Sequence, residues 1–376
     1  MEINPLDFID DHFESIVKEI KTIASISSPP FEEEKKIKYL KEKVARYQFL
    51  KNISVDKEGN LSAFLHGKQN KNVLLVAHTD TALKVENNNI SIKGNRIYGH
   101  GVCDNTSGVV ALLTLLQFLE DGHITPAYNL IFLFTVGEEG IGGKRGMKYF
   151  LKHNRHITTV INVESHNVGR ITTAAIGQFR AKIEVICDKG GHSWRDFGNP
   201  NAVCILANLI TDLQKSDLFQ KGETSYTFSL LDGGQSINVI PTSASVMYEF
   251  RSLSMMKFKK IHTLFNTTIR SYKKHYPESI VKIKIIADSL PVALGKNHPL
   301  ITFTENIHKK LHITSFYKEG NADGDISLNL GIPTVTIGTS KGYNTHSVKE
   351  YVEKNSFKKG YAQLFYMITQ LPSLPL

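Results

Sequence analysis

Cysteine is scarce: Cys103, Cys187 and Cys204 are the only three in 376 residues. So few, and an odd number, exclude a disulfide framework and fit a reducing compartment. Long apolar runs are missing too. No stretch reaches about 18 residues, the length a membrane-crossing helix needs, so no membrane partner is expected. The opening stretch MEINPLDFIDDHFESIVKEI has no basic region followed by an apolar run, so no signal peptide is expected and the assigned location is cytoplasmic. Repeats and low-complexity tracts are absent. Acidic residues are outnumbered, giving a formal net charge of +9. The lysines are dispersed among acids on helical faces, as in EEEKKIKYLKEK, where opposite charges spaced i,i+4 suit a solvated surface. No nucleic-acid motif accompanies them, and no nucleic-acid partner is expected.

What is present is a chain 41 % apolar, long enough for a sizeable core and for two domains. Its organising stretch is VLLVAHTDTALKVENNNISIKGNRIYGHGVCDNTSG, residues 73–108. VLLVA reads as a strand buried on both faces, as in a parallel sheet. His78 and Asp80 follow two residues apart, so an extended backbone points both the same way, with a carboxylate beside the imidazole. Asp104 then opens SGVVALLTLLQFL, which reads as a helix capped at its start.

Residues 6–22 and 30–47 read as helices, and ISVDKEGNLSAFLHGK as a polar hairpin. Beyond the organising stretch, a buried strand from Leu130 to Val136 ends in Gly137, Glu138 and Glu139, GGKRGMKYFLKHN is helical, and the strand TTVINVESHN ends in Glu164. Strands alternating with helices, each ending in acids or His, predict a mixed α/β sheet with a site along one edge. From about Gly169 the pattern changes. RITTAAIGQFRAKIEVICDKGGHS reads as hairpin strands, and the following segments complete a βαββαβ order, a domain able to fold alone. The α/β pattern resumes after Pro291 with the helix NHPLITFTENIHKKL, the strand IPTVTIG and a loop carrying His346. The predicted fold is therefore α/β, with residues 1–174 and 290–376 forming one domain and 175–289 inserted in it.

The ligand-type residues at strand ends are His78, Asp80, Asp104, Glu138, Glu139, Glu164 and His346. Two His with several carboxylates and no Cys suit zinc, with cobalt or manganese as alternatives. The carboxylates are too many for one ion. Two ions about 3.5–4 Å apart would share one carboxylate, an arrangement hydrolases use to activate water and hold a developing oxyanion. In an adjacent Glu pair, one can bind metal while its neighbour takes the proton.

HTD, GHGVCDNTSG, GEEG, a strand ending in Glu164, GGHS, NVIP and a late THS together closely resemble metallopeptidase family twenty, from about residue 25 to the end. That family includes aminoacylases, glutamate carboxypeptidases, di- and tripeptidases, acetylornithine deacetylases and succinyl-diaminopimelate desuccinylases. The resemblance implies a zinc exopeptidase catalytic domain with an inserted lid and dimerisation domain. It implies that His78 and Glu164 bind one zinc, Glu139 and His346 the other, and that Asp104 bridges them. Asp80 would orient His78, and Glu138 would be the general base that makes a bridging hydroxide. His192 of GGHS looks like the histidine that family dimers lend to the partner's active site. Asn238 and Arg251 match positions that hold the substrate's carbonyl and carboxylate, and Gly320 and Asp323 fall in the family's Gly-rich substrate loop. The segment after Asp104 departs from the commonest pattern in reading NTSG where many relatives carry a Lys, and GGHSWRDFGNPNAV with DGGQSINVIP looks most like the tripeptide-aminopeptidase-like branch.

Taken singly these residues have plainer readings: a strand-end Asp is more often a helix cap, Glu138 and Glu139 suit a solvated loop, His192 a turn, and Arg251 a surface ion pair. The joint placement of His78, Asp104, Glu138 and Glu139 on one sheet edge in family order favours the metal site. His100 and His166 are read as outer supports or surface groups, Cys103 as packing, and Trp194 as packing near His192 or at a dimer contact. The function expected is hydrolysis of an amide in small di- or tripeptides by a two-zinc exopeptidase that forms a homodimer through its inserted domain. The alternatives are an N-acyl-amino-acid amidohydrolase and a catalytically silent peptide-binding protein.

Overall fold

The computed structural model describes residues 3–295 and 297–371. The expected segments 1–174 and 290–376 run past these limits at 1–2, 296 and 372–376, which lie outside the described residues. The chain divides into two compact units, 1–174 with 293–376 in one and Ala175–Val292 in the other.

Runs without polar side chains need cover on both faces, and in the first unit they become the centre of an eight-stranded mixed sheet. Its order is β1 (Lys51–Val55), β2 (Leu61–Leu65), β4 (Tyr128–Thr135), β3 (Gln69–His78), β5 (Ile157–Glu164), β12 (Thr334–Gly338), β6 (Arg170–Thr172) and β11 (Phe316–Tyr317). The central four, β4, β3, β5 and β12, run parallel, with His78 opposite Thr135 and Gly338 opposite Glu164. Their carboxyl ends therefore lie along one edge. Leu74 to Ala77 have no exposed surface. A second sheet of short strands, in the order Lys341–Tyr343, Tyr351–Glu353, Arg96–Tyr98, Ser91–Lys93, ties the segment after β12 to the one before Asp104.

The helices differ from expectation in detail. The expected helix over 6–22 is two, α1 (Pro5–Asp11) and α2 (Phe13–Ala24), because His12 leaves helical geometry at ψ 8°. The second expected helix is confined to α3 (Glu34–Val44). α4 (Ser107–Asp121) is apolar all round and buried in the core, but no side chain of its own first turn caps it. Ser165, at the end of β5, does so instead, accepting from Gly108 N–H at 2.6 Å. The run Val102–Asp121 is long and apolar enough to cross a membrane, yet 89 % of its window is buried inside the protein. It is a core helix by placement. α5 (Arg145–His153), α8 (Pro299–Lys310), α9 (Gly324–Asn329) and α10 (Phe357–Thr369) complete this unit's helices.

The second unit has the order β7 (Gly177–Cys187), α6 (Ala202–Gln214), β8 (Thr224–Gly233), β9 (Ser243–Ser252), α7 (Met255–His275), β10 (Ser279–Ser289). The strands form an antiparallel sheet in the order β8-β9-β7-β10. Residues 170–193 are thus not a hairpin: β6 joins the first sheet and β7 lies between β9 and β10. Alternation along β7 and β9 turns Phe179, Tyr248 and Phe250 toward Phe258 and Phe265 of α7, forming the unit's aromatic core.

One core position in α3 is charged. Lys36 is 1 % exposed, and burial pushes its ammonium down from 10.5 to about 8 against the pull of Asp80, Glu350 and Glu33. Below pH 8 the group is protonated in both folded and unfolded chains and the full burial cost applies. Between pH 8 and 10.5 the folded chain holds fewer protons, so this group's contribution improves as pH rises, and above 10.5 the cost is gone. Lys36→Met is therefore expected to raise unfolding free energy by about 1–3 kcal/mol at pH 7. In urea titrations that advantage should shrink to nothing by pH 11; an advantage equal at both pH values would sink the explanation.

Candidate metal centre

Five ligand-type side chains converge at the carboxyl edge of the first unit's sheet. His78 ends β3, Glu164 ends β5, and Glu139 follows β4 after a turn at Gly137, whose positive φ of 64° suits glycine. Asp104 sits in an irregular turn before α4, and His346 in the loop after Lys341–Tyr343, with φ 61°. His346 is half-exposed, while the other four are buried.

Asp104 presents one oxygen to each of two groups. Its Oδ1 lies 3.1 Å from His78 Nε2, which is also 3.7 Å from Glu164 Oε2. Its Oδ2 lies 3.3 Å from His346 Nε2, which is 3.0 Å from Glu139 Oε1. Ligands bound 2.0–2.2 Å from one tetrahedral ion stand about 3.3–3.6 Å from each other. The four contacts lie close to that spacing, and the triples whose ligand atoms all stand within 4.8 Å of one another are His78–Asp104–Glu139 and Asp104–Glu164–His166, so the shared carboxylate belongs to both.

The electrostatics agree. Burial alone would raise Asp104, but hydrogen bonds from His346 and His78 outweigh it and hold its carboxyl well below the usual range. Burial alone would lower His78; Asp104, Asp80 and Glu164 instead push it well above its ordinary value. Hydrogen bonds to Asp104 and Glu139 push His346 up to about 10. In the chain by itself, both imidazoles thus gather protons to offset carboxylates. Cations at these positions would do the same and release those protons.

Asp80 and Glu138 stand beside this set. The carboxylate of Asp80 accepts the N–H groups of Glu138 (3.0 Å) and Glu139 (2.8 Å). His78 Nδ1 is 3.2 Å from the Asp80 carbonyl and 3.6 Å from its carboxylate. Asp80 thus braces the Glu pair more directly than the imidazole. Desolvation and the adjacent Glu139 raise the Glu138 carboxyl well above the usual range, with His78 opposing between them in strength. Among the described residues, Glu138 makes no ion pair with either His.

The remaining candidates of the first unit fall around this centre. His166 stands with Asp104 and Glu164 at ligand spacing. Its Nε2 is 3.1 Å from Arg170 Nη1 and must accept there, which puts the ring proton on Nδ1. His100 is buried, and Cys103 is fully buried with its thiol pushed up by burial, as a packing residue should be. Gly320 N–H donates to Ala174, while Asp323 is buried with one oxygen bonded to Thr135 and the other unpaired, its carboxyl pushed up to about 7 by burial. Sequence reading missed Lys144, which ties the Glu-pair turn to the loop of Gly320. Its buried Nζ bonds Asp325 Oδ2 at 2.6 Å and also Asn321. No local pattern signals a pair 181 residues apart.

The second unit holds the other three candidates. His192 and Asn238 are brought together by the two-residue pairing of Gly191–His192 with Val239–Ile240. His192 is exposed, and its Nδ1 accepts Trp194 N–H at 3.2 Å, so Nε2 carries the proton outward. Trp194 is 87 % exposed and does not pack within the unit, which removes one of its two expected placements. Arg251 lies near the other end of β9, its Nε bonded to Glu249. The unit does not bring it to His192 and Asn238.

A parallel-centred sheet whose edge gathers two His and two Glu around a shared Asp, with a further Glu alongside, defines a metal-dependent hydrolase. The chain belongs to the peptidase family M20/M25/M40, whose family model matches residues 74–370. It is 24 % identical over 369 residues to an acetylornithine deacetylase of Buchnera aphidicola, covering 92 % of this chain and 93 % of that protein. Its fold matches the crystal structures of a tripeptidase from Staphylococcus aureus (TM-score 0.78, 20 % identity, covering 96 % and 98 % of the two chains) and of aminopeptidase PepT from Bacillus cereus (TM-score 0.75, 19 % identity, covering 96 % and 98 %).

Because Asp80 holds the backbone of the Glu pair, Asp80→Asn is expected to weaken metal binding by about 10–100-fold. Chelator competition on the metal-stripped protein measures this. An unchanged competition curve would show that the turn holds itself.

Proposed function

We propose that this chain is a two-metal exopeptidase acting on small di- and tripeptides with a free C-terminal carboxylate. The observation that carries the reading is the split of Asp104, one oxygen toward each of two His–Glu pairs, with Glu138 unspent beside them. His78, Glu164, Asp104, Glu139 and His346 hold the ions. Zinc suits the N/O donor set, with cobalt or manganese as substitutes. When bound, the pair supplies Lewis acidity for water and for the scissile carbonyl.

The chain's own groups perform the remaining work. Glu138 takes a proton from the attacking water on its carboxylate and returns it to the leaving amine. Its desolvated position favours holding that proton between the two steps. Asp80 keeps the Glu pair in register through two backbone N–H groups. His192, with its proton fixed on Nε2, is a donor for the developing oxyanion. Asn238 is assigned to the substrate carbonyl, and Arg251 to the free carboxylate through the Nη groups that its bond to Glu249 leaves available.

We assign the inserted unit to a lid and homodimer role, with His192 supplied by the partner copy. Exposed Trp194, Phe197 and Ile237 around the His192–Asn238 pairing support an apolar contact there. Three free cysteines, two of them buried, support the cytoplasmic assignment. The second reading, removal of an acyl group from an N-acyl amino acid, needs the same chemistry and is favoured by the deacetylase relative.

A hydrolysis panel of di- and tripeptides and N-acyl amino acids, run on protein stripped of metal and reloaded, separates the readings. Peptide cleavage restored by metal supports the first. Cleavage confined to acylated amino acids replaces it with the second. Glu138→Gln should lower kcat by about 10²–10⁴-fold with metal content unchanged, and loss of metal with activity would mean the Glu pair has been divided wrongly. Mixing Glu138→Gln with His192→Ala should restore roughly one quarter of wild-type activity, because only the mixed dimers contain one intact site. No recovery would refute the exchange of His192 between copies.

A further inference from the structure

Glu350 is fully buried and lies outside both ligand groups, yet it engages the turn that carries Asp104. Its Oε1 accepts the N–H of Cys103 at 2.7 Å and of Asp104 itself at 2.8 Å, and its Oε2 accepts Gly101 N–H at 2.9 Å. Its own carbonyl accepts Gly99 N–H at 3.0 Å. Immediately beyond it, Tyr351–Glu353 pairs antiparallel with Arg96–Tyr98. Four residues before it on the same loop is His346.

That turn cannot satisfy itself. Asp104 and Asn105 have non-helical backbone angles, so the carbonyls of a regular helical turn are not in place to receive these N–H groups. Each buried N–H left without a partner would cost about 1–3 kcal/mol, and a buried carboxylate without partners considerably more. One side chain meets both demands through three charge-assisted bonds. His100 stands on the fourth side without a hydrogen bond to Glu350. Its Nε2 accepts Leu83 N–H at 3.1 Å, which puts the ring proton on Nδ1, 3.6 Å from Glu350 Oε2.

We infer that Glu350 is a positioning residue of the metal centre, fixing the backbone of Asp104 so that its two oxygens face His78 and His346 at once. Building on the two-metal reading, it sets the spacing of the paired ions without touching either. It also joins the two ligand-bearing segments, since the loop that delivers His346 is anchored through Glu350 to the turn that delivers Asp104. A residue that only supported the fold would change stability and leave the metal-binding curve of the folded protein alone.

The test is titration of the metal-stripped full-length protein with Co²⁺, read by its visible absorption and by chelator competition, alongside the unfolding midpoint of the metal-free protein. Glu350→Gln keeps one acceptor but sets an amide N–H₂ against a backbone N–H. It is expected to weaken uptake of the ions by about 10–100-fold and to alter the absorption band while the metal-free protein stays folded. Should that variant not fold, Glu350→Asp keeps the charge and retracts the oxygens by one methylene, and the same weakening is expected. Uptake of two ions by either folded variant with a wild-type curve and band overturns the proposal. Wild-type protein taking up fewer than two ions would overturn the two-metal reading, and this inference with it.

Discussion

The constraint on which the structure depends is the crowding of negative charge at one sheet edge. Asp80, Asp104, Glu139 and Glu164 are all buried there, with Glu138 alongside. Isolated carboxylates in such surroundings would be neutralised by proton uptake; the imidazoles hold Asp104 and Glu164 below the usual carboxylate range, whereas burial pushes Glu138 and Glu139 above it. Two imidazoles answer the central ones, and backbone N–H groups answer Asp80. The parallel sheet makes this practical, because strands ending in register put a residue from each at one level.

Around this core a layer of longer-range ties sets the angles of the loops. Lys144 and Arg145 are consecutive, and they reach in different directions: Lys144 to Asp325, Arg145 to Glu58 at 2.8 Å and to Glu33 at 2.9 Å. The turn carrying the Glu pair is thereby fastened to the N-cap of α3, to the β1–β2 connection and to the first turn of α9. Buried pairs of this kind add little net stability compared with apolar replacements, whereas removing one partner costs about 3–5 kcal/mol. Their value here lies in geometry, since an ångström of drift at Glu139 would undo its spacing to His346.

The sheet, the inserted unit and the ligand types were legible because each is written locally. A strand buried on both faces is a continuous apolar run, and a ligand at its end is the next residue along. What was not legible depends on contacts distant in sequence. Ser165 caps a helix that starts 58 residues earlier, counted from Ser107, and Lys144 finds Asp325 across 181 residues. Neither leaves a periodic trace. The break at His12 escaped because the apolar spacing continues through it, and β7 was taken for half of a hairpin because antiparallel alternation does not say which strand is the neighbour.

The second unit poses a geometric problem for any single chain. His192 and Asn238 lie beyond the start of β9 and Arg251 close to its end, so the strand holds them on the order of 25 Å apart, at about 3.3 Å per residue. A fully extended tripeptide spans no more than about 11 Å. One copy of the strand would reach both ends of one small substrate only with both side chains fully stretched toward it. Under the assignments proposed above, two copies related by a twofold axis would relieve this, each lending its His192 end to the site that its partner's Arg251 end serves. The residue assignments and the dimer reading are consequently linked: contact of His192 and Arg251 with the same tripeptide is easier from two chains than from one.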